Sequence, residues 1–338
     1  MQQIIPHLPS HRTITLSLLF VVIFYLAYII LTGHEALFSA LDTLKIVDWT
    51  FILGCSLGNY VVRFVRWQYY LALLNYHIPI IRSFAYYLAG FSLTTTPGKA
   101  GETIRSLYFH KHGVKFSASL AAFFTERFLD VVVVACLALL SLLHFIEYQS
   151  TIVTSITILL VMVAVFAYGN THYLIERLLP LIKIKLRLKF INRLLEYLTF
   201  FLSHTKQLFA FKALSLALTL GTIAWLLQGL AFIYLLQHFN IEINLWLALG
   251  IYAASLLAGA ISFIPGGVGT TEAAMAFLLI AVGVDKQTAL IIPIITRIAS
   301  LWFAVSLGAF STLLLSLSGI TIKMQQSDTK GSDTRHSG

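Results

Sequence analysis

Five arginines and four carboxylates of this chain stand inside or against long apolar runs: Arg63, Arg66, Arg105, Arg127 and Arg297, with Glu102, Glu126, Asp130 and Glu272. An arginine at the centre of a bilayer costs at least ~2.5 kcal/mol. Such residues must face partners inside the protein or a polar path, and a guanidinium there is suited to gripping phosphate or carboxylate oxygens in pairs. Glu126 and Asp130 share a helix face, and Arg127 and Asp130 are neighbours at i,i+3. Arg127 follows Ser117 by ten residues and Arg297 follows Thr288 by nine. At ~1.5 Å per helical residue they lie ~15 and ~14 Å along their helices, near the middle of a hydrocarbon layer ~30 Å thick. Two readings follow. The charges pair internally and tie helices together, or they contact a headgroup and gate its path, the role expected above all of Arg63, Arg127 and Arg297.

Two helix breaks accompany these charges: Pro97-Gly98 within TTTPGKAGETIR, and Pro265-Gly266-Gly267 with Gly269 within FIPGGVGTTEAA. Each ends one half-helix and starts another. The new N-termini present free N–H groups and the positive end of a dipole, which suits an anion. Glu102 and Glu272 fall in the first turns after the breaks. A carboxylate there is equally an ordinary complement to the dipole and a functional group, and both readings stay open.

The elements that must carry these residues are set by composition. Of 338 residues, 58% are hydrophobic and 11% charged, with a mean hydropathy of +0.85. Soluble domains carry roughly a quarter charged residues, so the surrounding solvent is a bilayer. Continuous rather than alternating apolar runs predict an all-α polytopic membrane protein. Runs of spanning length lie near 13–31, 49–74, 117–143, 151–169, 213–237 and 288–316. The stretches 84–110 and 246–283 are short or broken and predict two re-entrant hairpins. Residues 1–322 form one transmembrane domain and 323–338 a disordered polar tail.

Charge assigns the sides. The loop 170–212 holds Arg177, Lys183, Lys185, Arg187, Lys189, Arg193, Lys206 and Lys212 against Glu176 and Glu196, so the positive-inside rule puts it in the cytoplasm. The loops around Glu35, Asp42 and Asp48, around Glu147 and around Glu242 fall outside, and both termini fall in the cytoplasm of a cell membrane. The segment 177–193 is expected on anionic headgroups; within it, 181–190 alternates cations and apolar residues and fits strand or surface helix.

Shifted by about 169 residues the chain matches itself: Leu88-Ala89-Gly90 with Leu257-Ala258-Gly259, Pro97-Gly98 with Pro265-Gly266, Gly113-Val114 with Gly283-Val284, and Arg127 with Arg297. Three spans separate the two units, and an odd number inverts the second. Residues 49–143 and 213–316 therefore read as inverted repeats, a plan of secondary transporters with the site between the repeats.

Other chemistries are excluded or unsupported. PGKAGET is not a phosphate-binding GxxxxGK[ST] loop and HExxH does not occur; Gly54-Cys-Ser-Leu-Gly58 has the GxSxG spacing but lies inside a continuous apolar run, not at the strand-to-helix elbow that a nucleophile needs. Cys55 and Cys136 lie in apolar runs as small hydrophobes, and HKH at 110–112 reads as a solvated helix end. No metal, cofactor or nucleic acid is expected; the net charge of +9 is mostly the cytoplasmic loop.

In order, Arg63-Phe-Val-Arg66-Trp67, Pro97-Gly98-Lys-Ala-Gly101-Glu102-Thr-Ile-Arg105, Glu126-Arg127-Phe-Leu-Asp130, Pro265-Gly266-Gly267-Val-Gly269 with Glu272, and Arg297 resemble the lysylphosphatidylglycerol synthase transmembrane family, over about residues 13–318. The resemblance implies a flippase-like domain, as in the membrane half of multiple-peptide-resistance proteins, which move aminoacylated phosphatidylglycerol outward. Those two-part proteins carry a synthase domain after the membrane part. This chain ends about twenty residues past its last span, so the expectation is a stand-alone member without aminoacyl transfer. The expected function is translocation of a phospholipid or polyprenyl-type lipid with a phosphate-bearing headgroup, possible partners including a separate lipid-modifying enzyme. The rival readings are an intramembrane transferase using Glu126 and Asp130 as an acid/base pair, and a non-transporting scaffold that recruits a synthase.

Overall fold

The computed structural model describes residues 34–95, 104–141, 207–262 and 264–318, together with Ile23, Tyr25, Ser150, Thr154, Thr157, Ile158 and Val161. Most of the expected spans at 13–31 and 151–169, the basic segment 177–193, the first break with Pro97, Gly98 and Glu102, and the tail 323–338 lie outside the described residues.

Among the described residues every regular element is a helix. The order is α1 (His34–Thr43), α2 (Ile46–Leu73), α3 (Ile80–Ala89) running into a 3-10 turn (Gly90–Leu93), α4 (Ile104–His110) and α5 (Phe116–Ser141). After the loop come α6 (Phe211–His238), α7 (Leu245–Ile261), a 3-10 turn (Pro265–Gly267), α8 (Thr270–Ala281), α9 (Lys286–Arg297), a π turn (Ile298–Trp302) and α10 (Phe303–Leu317). By length and apolar composition, α6 and the combined 286–317 stretch are each able to cross a membrane.

The two halves are built from the same parts in the same order. α2 and α6 are each 28 residues long, about 42 Å at 1.5 Å per residue. Each ends on an asparagine with positive φ, Asn75 (62°) and Asn240 (55°). The next residue closes back on the helix, Tyr76 N–H to the Leu71 carbonyl and Ile241 N–H to the Leu236 carbonyl, both at 2.9 Å. Asparagine tolerates this left-handed cap because its short amide bonds locally. The same cap recurs on Gly113 and Gly283, where Val114 closes on Phe109 and Val284 on Leu279. Among the described residues, each half thus runs as long helix, asparagine cap, two shorter helices, glycine cap, long helix.

Packing between the halves is reciprocal. α2 lies against α6 in antiparallel sense. Asp48 accepts the Tyr234 hydroxyl at 2.6 Å, Gln228 donates to Ser56 at 3.1 Å, and Asn59 donates to the Ala224 carbonyl at 2.6 Å. Further along, Gly221 faces the Arg66 guanidinium. The half-helix α3 packs on α10, while α7 packs on α5. The two largest apolar cores among the described residues lie one around Trp67, Tyr87 and Phe109, the other around Phe232, Tyr252 and Ile292.

The sequence reads 288–316 as one uninterrupted span; the helix instead changes pitch after Arg297. Pro293 inside α9 removes one backbone donor, and a π turn follows at 298–302. The Ser300 carbonyl in that turn accepts the Tyr60 hydroxyl at 2.5 Å. A π turn inside a helix is often found at functional sites, and this one borders the cavity described next.

Candidate substrate site

The first charge cluster is assembled from four helices. The spacing of Glu126 and Asp130 puts both carboxylates on one face of α5, and α2 and α4 bring arginines to that face. Arg66 reaches both acids with one nitrogen, Nη2, at 2.7 Å from Asp130 and 3.3 Å from Glu126. Arg105 Nη2 lies 2.7 Å from the other Glu126 oxygen. Arg63 lies 3.3 Å from Asp130 and 3.6 Å from Glu126, and Arg127 lies 3.4 Å from Glu126 and 3.6 Å from Asp130. Tyr87 of α3 donates its hydroxyl to Glu126 at 2.9 Å. Arg66, Arg105 and Glu126 are fully buried. Burial of this many charges is costly unless geometry and further bonds compensate. Arg105 obtains further contact from aromatic faces: Trp67 at 3.9 Å, Tyr87 at 4.9 Å and Phe123 at 5.1 Å from its guanidinium carbon.

The second cluster closes the second break. Gly266, Gly267 and Gly269 all have positive φ, a backbone only glycine adopts without strain. Glu272, in the first turn of α8, accepts the Gly269 N–H at 2.7 Å with one oxygen. Its other oxygen accepts Arg297 Nε at 2.9 Å and the Tyr25 hydroxyl at 2.7 Å. Arg297 also donates to the Gly266 carbonyl. Glu272 is therefore a cap and an ion-pair partner at once. Gly98 and Glu102, the corresponding residues of the first break, lie outside the described residues.

One cavity joins the clusters. A space of about 260 Å³ is lined by Arg127, Asp130 and Val134 of α5 and by Gly266, Gly267 and Arg297 from the other half. A second space of about 80 Å³ lies beside it, with Asn59, Arg63, Thr94, Gln228 and Tyr252 in its walls. Trp225, Leu256 and Arg297 line both. The second break also approaches the chain that follows α3: a Cβ on Gly266 would stand 3.5 Å from the Thr95 Cα.

Arg63, Arg127, Asp130, Gly266, Gly267 and Arg297 thus reach a cavity, whereas Arg66, Arg105 and Glu126 do not line it and form its buried support. Pro265, Gly269 and Glu272 shape and lock the break. Internal pairing accounts for every described arginine of the set, and for three of them cavity contact is added to it. Sequence reasoning missed Tyr25, Tyr87, Trp225, Asn59 and Gln228. The aromatics carry no charge signal within apolar runs. Asn59 and Gln228 are polar exceptions on otherwise apolar helices and were open to detection.

Comparison with known proteins agrees with the sequence motifs. A family model described as "Lysylphosphatidylglycerol synthase TM region" matches residues 14–308. A "UPF0104 membrane protein" of Methanothermobacter thermautotrophicus is 28% identical over 309 residues, covering 85% of this chain and 89% of the relative. One of the same description from Pyrococcus horikoshii is 25% identical over 276 residues, 74% of this chain and 81% of the relative. A third, from Methanocaldococcus jannaschii, is 27% identical over 225 residues, 63% and 89% of the two chains. An all-helical, strongly apolar chain with this ordered set of motifs, matched over nearly its whole length, belongs to the lysylphosphatidylglycerol synthase transmembrane family of membrane proteins.

Proposed function

We propose that the protein is a lipid translocase of the cytoplasmic membrane, which moves a phosphate-bearing headgroup between leaflets while the acyl or prenyl tail stays in lipid. The observation that carries this reading is the shared cavity: arginines from both halves, Arg127 and Arg297, line one space between them. Transport by alternating access needs a site that two half-units can open in turn. The recurrent caps, the antiparallel contact of α2 with α6 and the reciprocal packing of α3 on α10 and α7 on α5 support an inverted repeat of 49–143 and 213–316. Membership in a family named for a lipid-modifying system supports a lipid as the cargo.

In this mechanism Arg127 and Arg297 grip the headgroup oxygens. Arg66 and Arg105 hold Glu126 in place behind them. Glu272 ties Arg297 to the break, so that headgroup binding competes with the lock on Gly266. The chain moves its lipid without changing it, and both termini stay cytoplasmic.

The test is reconstitution of the full chain in vesicles with labelled lipids, followed by chemical quenching of the outer leaflet. Wild-type protein is expected to expose lipid to the quencher beyond the rate of empty vesicles, with the lipid's mass unchanged. Arg127→Ala is expected to remove that activity while protein abundance stays near wild type. Undiminished exchange in Arg127→Ala refutes the site, and a changed lipid mass favours a transferase.

A further inference from the structure

The smaller space carries a different chemistry from the larger one. Its walls hold two amides on facing helices, Asn59 of α2 and Gln228 of α6. Each spends its nitrogen on the seam between the halves. Asn59 Nδ2 donates to the Ala224 carbonyl at 2.6 Å, and Gln228 Nε2 to the Ser56 hydroxyl at 3.1 Å. A carbonyl only accepts, so the Ala224 contact fixes which end of the Asn59 amide faces it. The amide oxygens are left over. Among the described residues no hydrogen bond engages Oδ1 of Asn59, Oε1 of Gln228 or the hydroxyl of Tyr252 on α7. Each of these atoms keeps accessible surface on a side chain that lines the space.

Polar atoms held without a partner inside an apolar helix bundle are costly, and here three of them, from three helices, line one space. Ring surface of Tyr60, Phe91 and Tyr252 surrounds them. A wall that is largely apolar and aromatic, with a few placed polar groups, is the usual make-up of a ligand site. Amide oxygens accept hydrogen bonds and a tyrosine hydroxyl does either. No carboxylate lines this space; its spare acceptors are neutral and suit neutral hydroxyls, with the carbon edges of an alcohol against the rings. One water-sized group needs about 10–15 Å³. The space of about 80 Å³ therefore takes several such groups, the size of a small polyol or one sugar ring. Arg297 lines both spaces, so a phosphate gripped by Arg127 and Arg297 has its second ester beside the smaller one.

Resting on the translocase reading for the choice of a lipid, we infer that the smaller space is a hydroxyl-recognition subsite. The headgroup is a phosphodiester to a polyol or a sugar: its phosphate lies at Arg127 and Arg297, and its hydroxyls donate to Asn59 Oδ1 and Gln228 Oε1 and meet the Tyr252 hydroxyl. These contacts neither require nor refuse a further substituent on the polyol. Asn59, Gln228 and Tyr252 are thus specificity residues, and the two amides read the headgroup with one end while the other joins α2 to α6.

The experiment titrates the full chain in detergent with three lipids of matched tails and equal headgroup charge, read by native mass spectrometry: phosphatidylglycerol, phosphatidylinositol and phosphatidylethanol. The third is a phosphodiester whose alcohol has no hydroxyl left. A site built to bond a hydroxyl discriminates against an analogue that lacks it. Phosphatidylglycerol and phosphatidylinositol are expected to bind about tenfold or more tightly than phosphatidylethanol, the scale of one or two hydrogen bonds. A preference confined to one of the two supports the subsite and sets its size. Tyr252→Phe keeps the ring and removes only a hydroxyl that no described residue bonds. Gln228→Met keeps the length and removes the amide. Each is expected to bring the hydroxylated lipids down towards phosphatidylethanol, and Tyr252→Phe decides alone if Gln228→Met does not fold. Phosphatidylethanol binding as tightly as both others overturns the inference. So does a preference that survives unchanged in the folded variants, since the hydroxyls are then read elsewhere. A vesicle assay on the same samples separates the two readings. Hydroxyl preference without exchange sinks translocation and leaves the subsite standing, while exchange of all three lipids without preference does the reverse.

Discussion

At the scale of single residues, the arginines divide by what holds them. Arg66 is fully buried with Nη2 at 2.7 Å from Asp130, so Arg66→Ala leaves two buried carboxylates short of a partner. Breaking a buried pair from one side costs about 3–5 kcal/mol. The variant is expected to unfold earlier in a detergent melt and to accumulate poorly, in contrast to Arg127→Ala, whose side chain is 17% exposed and makes longer contacts. Arg105→Lys is expected to resemble Arg66→Ala, because lysine lacks the flat group that stacks on Trp67 at 3.9 Å. Outside the membrane, Asp285 caps α9 by accepting the Thr288 N–H at 2.9 Å. Hydrogen bonds from the Thr288 side chain and then its backbone hold the Asp285 carboxyl below the usual carboxylate range. A depressed pKa stabilises the fold fully above the unfolded value, about 3.9, and that contribution disappears as pH falls through the lower folded value. Asp285→Asn keeps an acceptor at the cap and does not titrate. Its melting temperature is expected to fall less than that of wild type between pH 5 and strongly acid conditions, a slope difference read directly from paired melts.

At the scale of elements, close approach decides which glycines matter. A Cβ on Gly308 of α10 would stand 2.2 Å from the Ser92 nitrogen and 2.7 Å from the Phe91 carbonyl carbon. Both are backbone atoms of the turn that follows α3, so neither swings aside. Gly308→Ala is expected to force α10 away from that turn and to cost about 1–3 kcal/mol, as overpacking does. Gly54 of α2 has nothing within 4 Å of a Cβ. Gly54→Ala relieves the helix cost of glycine, about 1 kcal/mol, and is expected to raise the melting temperature under the same conditions. The helices themselves were legible in the sequence: runs at 49–74, 117–143 and 213–237 appear as 46–73, 116–141 and 211–238. Hydropathy reports such segments because lipid demands them. The π turn after Arg297 was not legible, since nothing in an apolar run specifies a change of pitch that a partner hydroxyl, Tyr60, helps to hold. The charged members of the site were legible because their cost in lipid makes them conspicuous. Trp225 and Tyr87 were not, because only their position relative to distant helices gives them a role.

At the scale of the whole molecule, the question is whether two halves of like construction face opposite ways. The antiparallel contact of α2 with α6 brings the Asp48 end of α2 beside Tyr234, near the end of α6. The loop after α6 therefore lies at the end of the pair opposite the loop after α2. His77, three residues before α3, and Glu242, three residues before α7, are both exposed in those loops. If α2 and α6 both cross the bilayer, the loops emerge on opposite faces, and the positive-inside rule puts His77 in the cytoplasm. Cys55 and Cys136 are the two native cysteines and are replaced by serine or alanine first. In intact cells, Glu242→Cys is then expected to react with a membrane-impermeant maleimide, while His77→Cys reacts only after the cells are opened. Labelling of both from one face removes the inverted repeat and with it the symmetry on which alternating access depends. Labelling from opposite faces leaves the shared cavity between Arg127 and Arg297 at the place where two oppositely oriented halves exchange their openings.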